Sequence, residues 1–151
     1  MARDFPTALV YARNWPLAGR FAYYFLKWIG VEIPRSVRIG KDFELAHGGV
    51  GVVIHSKAII GDRVKIYPGV SIGRADIHLP IGESAFEGIV IEDDVILCAG
   101  ACVLAKNGVL KVRKESMVGA NAVLLQSTQP GEIWAGVPAR RIGSRSKQLK
   151  E

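Results

Sequence analysis

The sequence predicts an all-β fold, a parallel β-helix of hexapeptide repeats, and two observations carry that prediction. Ile54, Ile60, Ile66 and Ile72 stand six residues apart, and Ala58, Val64 and Val70 follow the first three at a constant offset of four. The same period resumes in Ile91, Leu97 and Val103, with Val95 and Ala101 between them, and again in Val112, Val118 and Leu124, with Ser116 and Ala122. A helix would repeat every ~3.6 residues, and a strand of an ordinary sandwich at a period of about two. A sustained period of about six, with one aliphatic per unit, is the pattern of a solenoid of short strands and tight turns. Each aliphatic points to the axis and stacks on its equivalent in the next coil, because no hexad can bury its own face. Gly61, Asp62, Asp93, Asp94, Gly119 and Asn121 fall between the aliphatics and make corners, where Gly, Asn and Asp tolerate unusual backbone angles.

The first 30 residues read differently. Trp15 to Gly30 (WPLAGRFAYYFLKWIG) is aromatic-rich, carries Pro16 at a plausible first helical turn, and is interrupted by Arg20 and Lys27. It is too short for a membrane span and lacks the unbroken apolar stretch and cleavage site of a secretory signal. A helix here is expected to cap the open end of the solenoid. The alternative is an interfacial helix giving peripheral membrane contact, with its basic residues at the headgroups. The expected organisation is a helical capping segment (1–30), a β-helix (31–143) with one protruding loop, and a basic tail (144–151).

Bulk properties suit one domain of 151 residues with 49% hydrophobic content. A net charge of +6 favours anionic ligands such as a phosphorylated cofactor. The basic residues form no run and no nucleic-acid-binding module is present, so nucleic acid is not expected as a partner. Cys98 and Cys102, four apart in a strand block, form neither a disulfide framework nor a zinc motif. Free thiols in a reducing, cytoplasmic setting are the expectation.

Three histidines are candidates for chemistry. His47 lies in ELAHGGVGVVI, where Gly48, Gly49 and Gly51 leave room for a ligand or a neighbouring backbone. From spacing alone it is either a loop histidine in solvent or a catalyst. His78 lies in RADIHLPIGESAFEG, the stretch that interrupts the repeat between Ile72 and Ile91. Insertions of this kind often form a binding face, so His78 is a candidate contact for a substrate. His55 takes a hexad corner and is assigned no role.

The stretch from Val31 to Gly143 resembles the hexapeptide acyltransferases, and within them the serine acetyltransferase branch. VEIPRSVRIGKDFELAHGGVGVVIHSKAIIGDRVKIYPGVSIG follows the branch's pattern, in which an acidic residue precedes a histidine by 15 positions; here these are Glu32 and His47. The family usually has aspartate at the first. AGVPARRIG (Ala135 to Gly143) is similar to the family's C-terminal signature. The resemblance implies a left-handed coil, which parallel crossovers otherwise avoid. It also implies acetyl-CoA as co-substrate with no metal, and a homotrimer with sites between subunits. His47 would be the general base and Glu32 its orienting partner. Small residues would admit the CoA arm: Ala99 and Gly100 from LCAGA, Gly119 and Ala120 from VGANA, and Gly73 near the reactive end. Lys111, Lys114, Arg140 and Arg141 are candidates for the CoA phosphates, Arg140 foremost.

Two departures bear on the acceptor. The branch's Arg-His-Pro element is missing, with Glu87 and Gly88 where its first two residues would fall. The long helical N-terminal domain of typical serine acetyltransferases is likewise not expected here. The expected acceptor is therefore a sugar or surface-glycan hydroxyl, with serine as the alternative. Readings of another class are a non-catalytic structural solenoid and a zinc γ-class carbonic anhydrase. The latter would need a His-x4-His pair plus a third histidine, whereas the spacings here are 8 and 23.

Overall fold

The computed structural model describes residues 4–145, and it is a three-sided parallel β-helix closed at its N-terminal end by two helices. The hexads account for the three sides. Ile54 to Ile72 is 18 residues, three hexads and one full coil, and these two residues face each other in register.

One face stacks β1 (Arg38–Ile39), β4 (Ala58–Ile60), β7 (Phe86–Ile91) and β10 (Gly108–Val112). Its inward column runs Ile39, Ile60, Ile91, Val112. The second face stacks β2 (Glu44–Leu45), β5 (Lys65–Ile66), β8 (Ile96–Leu97), β11 (Met117–Val118) and β13 (Glu132–Gly136), to which β14 (Ala139–Ser144) adds antiparallel. Leu45, Ile66, Leu97, Val118 and Trp134 fill its column. The third face stacks β3 (Val53–Ile54), β6 (Ser71–Arg74), β9 (Cys102–Ala105) and β12 (Val123–Leu124), with Ile54, Ile72, Val103 and Leu124 inward. Nearly all of these side chains are fully buried, each contributing about 1.5–3 kcal/mol by leaving water. The second row lies inside as well, including Ser116, whose buried hydroxyl bonds the Thr128 hydroxyl and the Gln129 carbonyl at 2.9 Å.

The corner between the first and second faces is a polar ladder. Asp62 Oδ1 accepts from the Lys41 N–H at 2.7 Å, and Asp93 Oδ1 accepts from the Asp62 N–H at 2.8 Å. Asp42, Arg63, Asp94 and Glu115 at this corner all have φ near +52 to +60°. The corner between the second and third faces stacks Gly51, Gly69, Gly100 and Asn121, all at positive φ.

The N-terminal segment differs from the single helix expected over Trp15–Gly30. It forms α1 (Phe5–Ala12) and α2 (Gly19–Trp28), with Pro16 in the turn between them. Asp4 caps α1 by accepting from the Thr7 N–H at 3.1 Å. The helices meet closely at Gly19, where a Cβ would lie 2.4 Å from the Arg13 carbonyl oxygen. Val10 and Leu26 cover the end of the core. The repeat is interrupted by the loop between β6 and β7, and by the short Lys106–Asn107 turn between β9 and β10. Only Ser144 and Arg145 of the basic tail fall within the described residues; Arg145 donates to the Asp94 and Glu115 carbonyls.

Candidate active site

His47 owes its position to a count of residues. At the corner between the second and third faces, the chain takes four residues from one inward side chain to the next: Ile66 to Val70, Leu97 to Ala101, Val118 to Ala122. From Leu45 to Val52 it takes seven. Val50 and Gly51 remain in register with Pro68 and Gly69, since the Gly69 N–H donates to the Val50 carbonyl at 2.9 Å and the two glycines stack. The three extra residues are therefore His47, Gly48 and Gly49. They form a 3-10 turn (Ala46–Gly49) whose φ values are 52, 76 and 65°. This turn carries the His47 side chain out of the coil into an exposed position, with its ring centroid 5.9 Å from that of Tyr67 one coil on.

Glu32 stands one coil before Val53, at the start of the third face just past this corner. Its backbone brackets Val52–Ile54, donating to the Val52 carbonyl and accepting from the Ile54 N–H. The side chain takes Lys27 Nζ at 3.5 Å rather than the imidazole, and both partners are nearly half exposed. Residue spacing carries no signal for that pairing, because Lys27 comes from α2.

Ala99 and Gly100, and then Gly119 and Ala120, follow along this same corner on the third and fourth coils. The Asn121 N–H donates to the Ala99 carbonyl, and the Cys98 N–H to that of Val118. The fifth coil contributes Ala135, packed on Gly119 so that a Cβ there would lie 3.2 Å from the Ala135 methyl. Arg140 is exposed and sits opposite Ala135 in the β13–β14 ladder, on strands joined through a cis Val137–Pro138 bond. Four coil spacings separate the His47 corner from this end, roughly 19 Å at ~4.8 Å each. The result is a corridor along one corner, passing Tyr67 and Pro68 on the second coil and small residues on the third to fifth, with an imidazole at one end and a guanidinium at the other.

The remaining expected residues lie elsewhere. Gly73 is at the opposite edge of the third face, beside His55, with open space where a side chain would project. Lys111 projects from the first face and Lys114 from the polar-ladder corner, so neither lines the corridor of this chain. Proximity in sequence to the small-residue corners could not tell these faces apart. Arg141 is held by Glu132 at 3.0 Å. His78 is exposed in the loop after β6. That loop is pinned by Arg74, which donates to the Leu79 carbonyl and pairs with buried Asp76, and by Ser84, which donates to Asp76. His55 has its ring edge on Phe86 and accepts from the Lys57 N–H; burial first, then Lys57 and Arg74, push its pKa down. Burial pushes the Cys98 thiol up, away from the thiolate form. Among the described residues no three His, Cys, Asp or Glu side chains gather as a metal site. At the place of the missing Arg-His-Pro element, a Cβ on Gly88 would come within 3.0 Å of the Lys57 carbonyl oxygen.

No family model matches the chain. Individual proteins do. It is 38% identical over 118 residues to a serine acetyltransferase of Staphylococcus aureus, covering 75% of this chain and 49% of that protein. Serine acetyltransferase 4 of Arabidopsis thaliana is 36% identical over 124 residues, covering 79% and 31%. This chain belongs to the hexapeptide-repeat acyltransferases, in the serine acetyltransferase-like branch. Among solved structures of this branch, the serine acetyltransferase of Vibrio cholerae superposes with a TM-score of 0.73 at 29% identity, over 92% of this chain and 53% of that one. That of Brucella abortus, solved in complex with coenzyme A, gives 0.74 at 28% identity, over 91% and 54%. The left-handed β-helix of the family is thus the fold of this chain, which spans about half the length of the curated relatives it matches.

Proposed function

We propose that this hexapeptide acyltransferase moves the acetyl group of acetyl-CoA to the hydroxyl of L-serine, with His47 as general base. The observation that carries the reading is the three-residue enlargement of one corner, which sets an exposed imidazole at the head of a small-residue corridor ending at Arg140. The similarity to serine acetyltransferases favours serine over the glycan hydroxyl that the missing Arg-His-Pro element suggested; nothing in those relatives supports a role in polysaccharide synthesis.

An alcohol is a poor nucleophile at neutral pH because its pKa is far too high. His47 removes the hydroxyl proton as the oxygen attacks the thioester carbon, a contribution of about 10²–10⁴-fold. The tetrahedral oxyanion then collapses, the C–S bond breaks, and the imidazolium returns the proton to the departing CoA thiolate. No acyl-enzyme forms and neither cysteine is consumed. Glu32 serves as orienting partner of His47, stabilising the imidazolium, once its carboxylate turns from Lys27. A half-exposed pair of this kind is worth only about 0–1 kcal/mol, so turning costs little. Acetyl-CoA, the co-substrate, lies along Ala99, Gly100, Gly119 and Ala120, with Arg140 at its phosphates. An exposed corridor open on one side suits closure by a neighbouring solenoid, and a homotrimer supplies one.

The test is CoA release from acetyl-CoA with L-serine, corrected for the protein's own thiols, in wild type and His47→Ala. Serine-dependent release that His47→Ala lowers by ~10²-fold or more supports the reading. Release with sugar acceptors and none with serine would return the acceptor to the glycan class and the loop around His78.

A further inference from the structure

We propose that the outer face of the two N-terminal helices docks on the surface of an anionic lipid bilayer. Eight of the chain's twelve aromatic residues fall between Phe5 and Trp28, and capping the core uses few of them. In α2, Ala22 and Leu26 are buried against the solenoid, while Phe21, Tyr24, Phe25 and Trp28 lie on the opposite side at helical spacing. Leu17 is 93% exposed, Phe21 81% and Trp28 80%. Phe5 of α1 continues the patch, its ring edge-on to Phe25 with centroids 5.7 Å apart. Leu17, Arg20, Phe21 and Tyr24 enclose an open groove of about 350 Å³. A helix that is apolar on both sides has a second partner to find, since contiguous exposed apolar surface of this kind marks an interaction site.

The charge selects the partner. Residues 5–31 contain Arg13, Arg20 and Lys27 and no acidic residue. Arg13 is buried, whereas Arg20 and Lys27, seven residues apart, lie along one flank of the aromatic face of α2. Two copies meeting through this face would bring like charges together. A bilayer of anionic lipid meets both demands, taking the rings at the boundary between headgroup and acyl chain and the basic flank at its phosphates. No helix among the described residues is long and apolar enough to cross a membrane, so the segment lies on the surface.

The experiment is co-sedimentation of the full chain with vesicles of phosphatidylcholine alone or containing about 30 mol% phosphatidylglycerol. It needs no catalysis, so it stands apart from the serine assay. The expected result is binding to the anionic vesicles, about ten-fold or more weaker to neutral ones, and released by salt. The double variant Phe21→Ser, Trp28→Ser should lose about ten-fold or more of that affinity, with an unchanged melting transition because both side chains are exposed. Failure to bind either vesicle, or equal binding by the double variant, overturns the proposal. So does a fall in oligomeric state of the variant without lipid binding by wild type, which would assign the face to copies of the chain.

Discussion

Deleting residues 47–49 separates what the enlarged corner does for the fold from what it does for chemistry. The shortened corner, Leu45–Ala46–Val50–Gly51–Val52, has the length of Ile66–Tyr67–Pro68–Gly69–Val70, and its last three residues already stand in register with that coil. The deletion removes a histidine held at φ 52°, relieving about 1–2 kcal/mol of left-handed strain. It also removes two glycines at positive φ, whose ordering is entropically costly. Against this stand the ring contact between His47 and Tyr67, at most ~0.5–1.5 kcal/mol, and the packing of the turn on the Leu45 side chain. The opposing terms nearly cancel, so stability should change by no more than about 1 kcal/mol. Urea unfolding measures that, and serine-dependent CoA release, expected to fall to the blank, measures the other half. A loss of several kcal/mol would show that the turn is a structural element, and retained turnover would remove His47 from the mechanism.

Glu32 and Lys27 give a paired test. If the carboxylate orients His47, Glu32→Gln lowers kcat about ten-fold or more, whereas Lys27→Met frees the carboxylate and leaves kcat unchanged or raised; two inert variants would leave Glu32 as a backbone element only. His55 gives a pH dependence. Its folded pKa lies below the ordinary value, so the unfolded chain binds the extra proton first. Stability should hold above about 6.5 and fall as pH drops from there through the lowered folded value. His55→Gln should flatten that part of the stability profile measured by urea unfolding, and an unchanged slope would assign the dependence to other groups.

Most of the solenoid was legible because its information is periodic. Every aliphatic named from the six-residue spacing lies inside, since a residue's column is fixed by its position in the hexad, whatever the rest of the chain does. The seven-residue step from Leu45 to Val52, against four at the equivalent corners, is also present in the sequence, although the glycines rather than the count first draw the eye to His47. What escaped depends on contacts between distant elements. The start of α1 carries a legible Asp4–Pro6 signal, but its eight residues have no helical period of their own and are held by Val10 packing on the core. Lys27 meets Glu32 only because α2 folds back over the first coil. Lys111 and Arg140 look alike in sequence, and only the strand each occupies separates a basic residue on the far face from one at the end of the corridor.

A regular β-helix is a ruler: its corners repeat about every 4.8 Å and can be floored with small residues, but regularity by itself gives no place for a proton-transfer group. In this chain the departure that carries a histidine lies at one corner of the first complete coil, where the left-handed backbone of His47 costs about 1–2 kcal/mol that its ring contact with Tyr67 offsets only in part. The cap shares that corner. Pro6 of α1 lies close to Gly48, and Lys27 of α2 holds the Glu32 carboxylate. The helices that close the open end of the core therefore also set the surroundings of the candidate base. A change in what covers the outer face of α2 has a direct route to Glu32 through one solvent-exposed ion pair, without passing through the packed columns of the solenoid.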